Sequence, residues 1–576
     1  MKNRLIRIHL VLYFFTFLFL ALSFRIYYLQ IFRKTFLRKL SKSQYYKRIP
    51  FESKRGKIFD RNGMLLATGI NVYSVYCEPL LIENPLKTAD ILLQHIDLPK
   101  KKLFSKLNSG KRFVWIKRKI SWQEKEEIKS LGLKGIGFIR EEMRFYPQGK
   151  LALSIIGAVN IDNIGIEGLE FIYDSYLRGK NGWVEVLKDS ASRDIILSPQ
   201  VIDPQCGTDV ALTIDGQIQY WLETYLQEVL EEFDASGADA IVMDANSGQL
   251  LAIASHKKGK ISEAAVSRVT RNAAICDMFE PGSVFKVVTL LAAIENNKFN
   301  QDDIIFCENG KLKIPGSVLH DFRPYGNLTF REVFKKSSNI GVSKIAAAIG
   351  EHDFYRYILK LGFGKKTGID LPGEAAGKIR PVREWSNTSR YIIPVGQEVG
   401  VNLLQLVRML ASVCNGGYLV KPYIAKDIRT QLVVRKTEDI RSRVFSEDVA
   451  AIAKDILIEV VEDGTGKGAF IEGQKIGGKT GTAQKYDPAI KRYSPKNYRA
   501  TFIGFISSMD PPVVIGVSVD EPQKSHFGGV VAAPVFKKIA SKVLAYQLNV
   551  SDLAKTLKPD ERAEEVSLSG VGNNDN

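Results

Sequence analysis

The chain has 576 residues, 45% hydrophobic and 25% charged, with a formal net charge of +18; this exceeds one ordinary domain and supplies apolar residues for more than one core. Residues 1–60 hold seven Lys and seven Arg against Glu52 and Asp60, a local net of +12. That excess suits anionic lipid head groups, and no helix-turn-helix, zinc motif or RNP-like strand accompanies it, so nucleic-acid binding is set aside. Five scattered cysteines (Cys77, Cys206, Cys276, Cys307, Cys414) lack CxxC spacing and exclude a disulfide framework. Cys307, His320 and Asp321 are the nearest approach to a metal cluster and read as ordinary packing, so no metal site is expected.

In chain order, residues 1–7 precede a charge-free run of 17 residues, Ile8 to Phe24, bounded by Arg7 and Arg25. At 1.5 Å per residue such a run only just crosses a hydrocarbon core of about 30 Å. Tyr27, Tyr28 and Phe32 beyond it resemble an interfacial aromatic belt. Ala21 and Ser23 could mimic a signal-peptidase site, but the run is longer than a usual signal core, so 8–24 is read as an uncleaved anchor. Basic residues flank both ends, and charge alone does not orient it. Residues 25–48 form a basic juxtamembrane segment.

From 49 to 204 short β-rich runs alternate with Gly turns and charged helical stretches. Val72–Tyr76 and Phe113–Ile116 read as strands and Trp122–Ser130 as a polar helix. From 207 to 545 the apolar elements lengthen. Ala238–Met243 and Leu250–Ala254 flank an Asn246–Ser247–Gly248 turn as one hairpin, and Thr501–Ile506 with Val513–Val519 read as another. Helices enclosed by hairpins far apart in sequence predict α+β with an antiparallel sheet. Residues 551–576 are polar, charged and Gly/Asn-rich and read as a disordered tail.

The chemistry rests on three short motifs. Ser283-Val284-Phe285-Lys286 opens an apolar helix after Pro281-Gly282. Three residues apart on a helix, a hydroxyl and an amine share a face, and an amine with a lowered pKa can take the hydroxyl proton. Alone the motif is weak, because Ser255–Lys258 repeats its spacing at a strand end. Ser337-Ser338-Asn339 is a Ser-x-Asn that could equally cap a helix. Lys479-Thr480-Gly481-Thr482 follows Gly477-Gly478 and precedes the second hairpin, where small residues admit a substrate backbone and Lys and Thr can grip a carboxylate. It too has a double, Lys366-Thr367-Gly368, in an apparent turn. In this order, 54 and 142 residues apart, the trio is a serine-acyltransferase set.

On these residues the chain resembles class B penicillin-binding proteins from about Arg55 to Phe536. Arg55-Gly56 with Asp60-Arg61-Asn62-Gly63, then Arg144-Phe145-Tyr146-Pro147-Gln148-Gly149 and Gly165-Ile166-Glu167-Gly168-Leu169-Glu170, look like the family's pedestal motifs. Read as residues, they are turns and buried ion pairs. Ser337-Ser338-Asn339-Ile340-Gly341 and His526-Phe527-Gly528-Gly529-Val530 look closest to the division branch. Gln397-Glu398 departs from the family's usual Gln-Gly, and Asn402-Leu403 from Thr-Pro.

The resemblance implies a penicillin-binding transpeptidase fold, an antiparallel sheet enclosed by helices over 207–545, on a β-rich pedestal over 49–204. It implies Ser283 as nucleophile, Lys286 as base, Ser337 and Asn339 as proton relay and donor orientation. Lys479, Thr480, Gly481 and Thr482 would bind the terminal carboxylate of a peptidoglycan stem peptide ending in D-Ala-D-Ala. β-Lactams would trap the acyl-enzyme, and no cofactor is needed. It further implies a single-pass protein of the cytoplasmic membrane with its catalytic domain on the outer side. There it would work with a membrane glycosyltransferase and other division proteins. The other readings are an elongation-specific transpeptidase, a D,D-carboxypeptidase or β-lactamase, and a non-enzymatic acylated sensor or scaffold.

Overall fold

The computed structural model describes residues 2–37, 46–188, 194–195, 201–259, 271–429, 434–436, 441–487 and 492–556. Helix α1 runs from Lys2 to Ile31, well past the charge-free run at both ends. Leu5–Ile31, with mean hydropathy 2.2, is long and apolar enough to cross a membrane. Backbone hydrogen bonding in a helix is local and does not stop at Arg25. Its 27 residues extend about 40 Å, so the span is not as short as the apolar run predicts. Residues 38–45 of the basic segment, among them Arg38 and Lys39, lie outside the described residues.

The chain forms two compact units that interleave in sequence. The first comprises residues 1–55, 73–142 and 178–207, and the second 56–72, 143–177 and 208–576. Strand β1 (Leu65–Cys77) passes from one to the other at Val72–Tyr73. In the first unit its C-terminal half pairs antiparallel with β2 (Val114–Ile120), Tyr73 opposite Ile120 and Cys77 opposite Val114. Helix α2 (Trp122–Ser130) begins on a capping box, Ser121 and Glu124 each bonding the other's backbone N–H. Val75, Cys77, Leu92, Leu103, Ile116 and Ile128 form a small core of its own.

The pedestal motifs behave as the turns and ion pairs they suggest. Asp60 closes a turn by accepting from the N–H groups of Asn62 (2.9 Å) and Met64 (2.7 Å). Arg144, fully enclosed, pairs with Glu170 at 2.6 Å and donates to the Gly56 carbonyl at 2.7 Å, all inside the second unit. An ion pair so buried is destabilising to break, because the surviving charge is left without solvent.

The second unit is built on a five-stranded antiparallel sheet. In chain order its elements are α3 (Gly216–Phe233), β3 (Gly237–Asp244), β4 (Leu250–Lys257), α4 (Lys286–Glu295), α5 (Asn339–Ile349), α6 (Leu403–Cys414), α7 (Glu447–Asp463), β5 (Ile476–Asp487), β6 (Arg492–Ile506), β7 (Val513–Asp520) and α8 (Gly528–Thr556). The spatial order β4-β3-β7-β6-β5 leaves β5 at an edge. The two expected hairpins are present, as β3–β4 and β6–β7. Side chains alternate between two cores: Ala238, Ala240 and Val242 pack with α3 and α8, whereas Ile241 and Met243 join the core of α4, α5 and α6. Helices on both faces explain why β3 and β7 are buried along almost their whole length. Helix α8 continues to Thr556, past the expected start of the tail at Ser551, and residues 557–576 lie outside the described residues.

Candidate active site

Ser283 lies in a tight 3₁₀ turn, Gly282–Phe285, that runs directly into α4 at Lys286. The turn is pressed against the free edge of β5, and two glycines permit the approach. Gly282 has φ +54°, and a Cβ there would meet the Thr482 carbonyl at 3.1 Å. At Gly481 a Cβ would sit 2.7 Å from the Pro281 carbonyl oxygen, closer than atoms allow. The Ser283 turn and the Lys-Thr-Gly-Thr strand are therefore brought together by backbone packing.

Lys286 is completely buried and Lys479 is 1% exposed. The Lys286 amine donates to the Ser337 carbonyl (2.6 Å) and Asn339 Oδ1 (2.7 Å), and lies 3.2 Å from Ser337 Oγ. Lys479 Nζ donates to the same Ser337 Oγ at 2.9 Å and to the Thr480 carbonyl at 3.3 Å. The Ser337 hydroxyl is thus held between two lysine nitrogens. Burial pushes the pKa of Lys286 well down, the neighbouring Lys479 charge pushes the same way, and the Asp321 carboxylate opposes both. Burial also pulls Lys479 down, to about 7. A neutral Lys286 keeps two N–H donors for Ser337 and Asn339 and frees a lone pair for a proton.

The Ser337–Asn339 segment is fixed by groups the sequence motifs do not contain. Ser337 sits at φ +59°, a left-handed conformation that costs a non-glycine residue about 1 kcal/mol or more. Ser338 caps α5 by accepting from Gly341 N–H at 2.9 Å and donates to Asp321 Oδ2 at 2.6 Å. Asp321 Oδ1 accepts from the N–H groups of Asn339 (2.5 Å) and Ile340 (3.1 Å). The Asn339 amide nitrogen donates to the His320 carbonyl at 2.8 Å, which turns its oxygen toward Lys286. Cys307 Sγ lies 3.4 Å from Ser338 Oγ. Cys307, His320 and Asp321 therefore meet, but in the hydrogen bonding that supports the motif. Among the described residues no group of three or more His, Cys, Asp or Glu is placed to hold a metal. Asp321 stands 16 residues before Ser337, with no local signal for its capping position.

On β5, Thr480 Oγ1 bonds Thr465 Oγ1 at 3.1 Å and Thr482 Oγ1 accepts from Gly528 N–H at 3.1 Å. Thr465 is a second contributor that sequence reading misses. The structure brings Lys286, Ser337, Asn339 and Lys479 into one hydrogen-bonded group, with Ser283 and Gly481–Thr482 packed beside it.

The motif doubles lie elsewhere in other settings. Ser255, at the end of β4, donates to Asn272 Oδ1 and accepts from Ala274 N–H, both at 3.0 Å. Lys258 pairs instead with Asp234. In the other double, Glu374 accepts from Thr367 N–H and Oγ1 at 2.6 Å each and from Gly368 N–H at 3.1 Å, closing a turn.

Comparison with known proteins agrees with this geometry. Residues 238–541 match the penicillin binding protein transpeptidase domain and residues 50–212 the penicillin-binding protein dimerisation domain. The chain is similar to stage V sporulation protein D of Bacillus subtilis, 34% identical over 550 residues, covering 92% of this chain and 84% of that protein. It is 30% identical to peptidoglycan D,D-transpeptidase FtsI of Escherichia coli over 540 residues, covering 91% and 90%. Among solved structures, penicillin binding protein 3 from Mycobacterium tuberculosis, complexed with aztreonam, superposes with TM-score 0.68 at 27% identity, covering 87% of this chain and 97% of that one. With both domains matched in order along most of its length, the chain belongs to the penicillin-binding protein transpeptidase family as a class B member, a serine acyltransferase domain preceded by a dimerisation domain.

Proposed function

We propose that this protein cross-links peptidoglycan stem peptides through an acyl-enzyme on Ser283. The observation that carries the reading is the convergence of two buried lysines on one serine hydroxyl beside the Ser283 turn. Lys286, its pKa lowered by burial, takes the Ser283 proton in its neutral form as Oγ bonds the penultimate D-Ala carbonyl carbon. Charge on the carbonyl oxygen is met by the N–H groups of Ser283 and Thr482. The carbon–nitrogen bond to the terminal D-Ala breaks, and its amine leaves with a proton passed from Lys286 through Ser337. An acceptor amine then attacks the ester, the carbon–oxygen bond breaks, and Ser283 recovers its proton. Lys479, Thr480 and Thr482 hold the terminal carboxylate, Gly481 gives the peptide room, and Asn339 orients the donor. A β-lactam carbonyl enters the first half of this sequence and stops there. Labelling the protein with fluorescent penicillin and mapping the modified peptide by mass tests the reading. Label on the 281–286 segment supports it, and label confined to the segment around Ser255 overturns it.

The resemblance of 337–341 and 526–530 to the division branch supports a septal role, and α1, long and apolar enough to cross a membrane, supports a single-pass anchor. Residues 1–7 face the cytoplasm, because the lipid-linked substrate is presented on the outer face of the cytoplasmic membrane. A membrane glycosyltransferase and other division proteins are the partners this position implies. Depletion in a rod-shaped host should give filaments with failed septa while elongation continues. Rounded cells with normal septa would assign it to elongation, and a C-terminal reporter active only in the cytoplasm would reverse the topology.

A further inference from the structure

The cleft between the Ser337–Asn339 segment and β5 is joined at its buried floor, where Lys479 Nζ donates to Ser337 Oγ at 2.9 Å. It is crossed a second time at its exposed rim. Phe322 and Phe527 meet there edge to face, ring centroids 5.8 Å apart and planes at 76°. Each ring is carried by backbone tied to one wall. Phe322 follows Asp321, whose carboxylate holds Ser338, Asn339 and Ile340. Phe527 precedes Gly528, whose N–H donates to Thr482 Oγ1 at 3.1 Å. A Cβ at Gly528 would sit 2.3 Å from the Gly481 carbonyl oxygen, so this backbone lies directly on β5. The ring pair therefore runs from the Ser-x-Asn wall to the Lys-Thr-Gly-Thr wall.

The two rings are backed differently. Phe527 packs on His526 (4.3 Å), His526 stacks on Tyr498 (4.2 Å), and Tyr498 stands on β6 opposite Gln484 of β5. The Phe527 carbonyl also accepts from the Val530 and Val531 N–H groups in the first turn of α8, at 2.9 Å each. Phe322 instead begins a short exposed loop. Its ends are tied where Asp321 N–H donates to the Gly310 carbonyl (3.1 Å) and the Gly326 carbonyl accepts from Cys307 N–H (2.7 Å). Phe322 is 78% exposed, against 43% for Phe527, so its ring serves no core. A donor whose carboxylate reaches Thr480 and Thr482 must lie between the two walls, and the ring pair bridges them at the entrance.

We propose that Phe322 and Phe527 form a strap across the active-site cleft that parts before an acyl donor reaches Ser283, with Phe322 the moving half. The proposal rests on the transpeptidase reading above. An exposed edge-to-face pair is a weak contact, so the strap opens readily and holds binding back by a modest factor. It acts before the chemical step. The closed population lowers apparent affinity in proportion to the open fraction and leaves the acylation step itself unchanged.

The test uses full-length protein in detergent and a fluorescent penicillin, with the acylation rate measured by stopped flow over a range of concentrations. Phe322→Ala should lower the concentration that gives half the limiting rate by about two- to tenfold and leave the limiting rate unchanged. Phe322→Tyr, which keeps a ring, should behave as wild type. Phe322 is mostly in solvent, so its substitution does not put the fold at stake. In protein carrying Phe322→Cys and Phe527→Cys, a short cleavable thiol cross-linker should arrest acylation, and cleavage of the linker should restore it. Each single Cys variant, treated alike, controls for the five native cysteines. An unchanged half-saturating concentration in Phe322→Ala, a limiting rate that falls with it, or cross-linked protein that acylates at the unlinked rate would overturn the strap. Wild-type protein that penicillin does not label would overturn the transpeptidase reading instead.

Discussion

The chain contains the tripeptide Lys-Thr-Gly twice, and the two copies differ in everything except sequence. Lys479-Thr480-Gly481 lies on an edge strand, its lysine 1% exposed and bonded to Ser337. Lys366-Thr367-Gly368 lies in a turn that Glu374 closes from both carboxylate oxygens, and its lysine faces solvent. Burial draws the Lys479 amine down to about 7. The chemistry therefore belongs to the setting and not to the tripeptide. Ser283–Lys286 and Ser255–Lys258 repeat the lesson. One lysine is sealed in the core, and the other pairs with Asp234 at the surface.

The sharpest way to break this comparison is to exchange the roles of the two serines. Ser283→Ala should abolish penicillin labelling of folded protein, and Ser255→Ala should leave it near wild type. Labelling that survives the first substitution and is lost in the second would invert the assignment.

Lys286→Ala should slow acylation by about 10²- to 10⁴-fold, the usual contribution of a positioned base. The pH profile of kcat/KM sharpens this. Lys286 must be neutral to accept a proton, so activity falls as pH drops through its lowered pKa. Lys479 must be charged to attract a carboxylate, so activity also falls above about pH 7, where Lys479 loses its proton. Lys479→Arg should abolish that upper limb, since Arg stays charged; a limb that persists would assign it to another group.

Lys479→Ala should weaken acylation by a carboxylate-bearing donor roughly tenfold to hundredfold, as expected for loss of a charge-assisted bond. Lys366→Ala should change it less than about twofold, being a surface substitution. Rates for the pair, measured side by side, decide which strand receives the substrate. A larger loss at Lys366 would put the substrate strand in the wrong place.

The smallest effect separates stability from catalysis. Glu374→Gln removes charge from three hydrogen bonds in the 367–374 turn and should cost about 1–2 kcal/mol of stability. Denaturant unfolding should detect it while the acylation rate per folded molecule stays constant. A fall in that rate would mean the turn supports the active site.

Much of the sheet was legible because its strands carry their own signal. β3 and β7 are short apolar runs between turn residues, and α2 carries a capping box. The extent of α1 was not, because a charge-free run marks lipid-compatible residues while a helix ends where its hydrogen bonding ends. Nor was the interleaving of the two units, in which residues 56–72 and 143–177 leave their sequence neighbours to pack with the second. Arg144 and Glu170 looked like a turn-and-ion-pair device, but which unit they secure depends on contacts across the chain.

The sequence by itself determined the order of the three motifs, the apolar N-terminus and the residue types able to carry acyl transfer. Those are properties of short segments, and local spacing suffices for them. The tertiary structure alone decided which Lys-Thr-Gly lies on the edge strand beside the Ser283 turn. It also decided that two lysines share one hydroxyl, and that Asp321 and Thr465 hold the motifs in place. Each of these depends on burial and on partners 15 to 142 residues away, and exclusion of water by the folded chain is the leading cause of the lowered pKa at Lys286 and at Lys479.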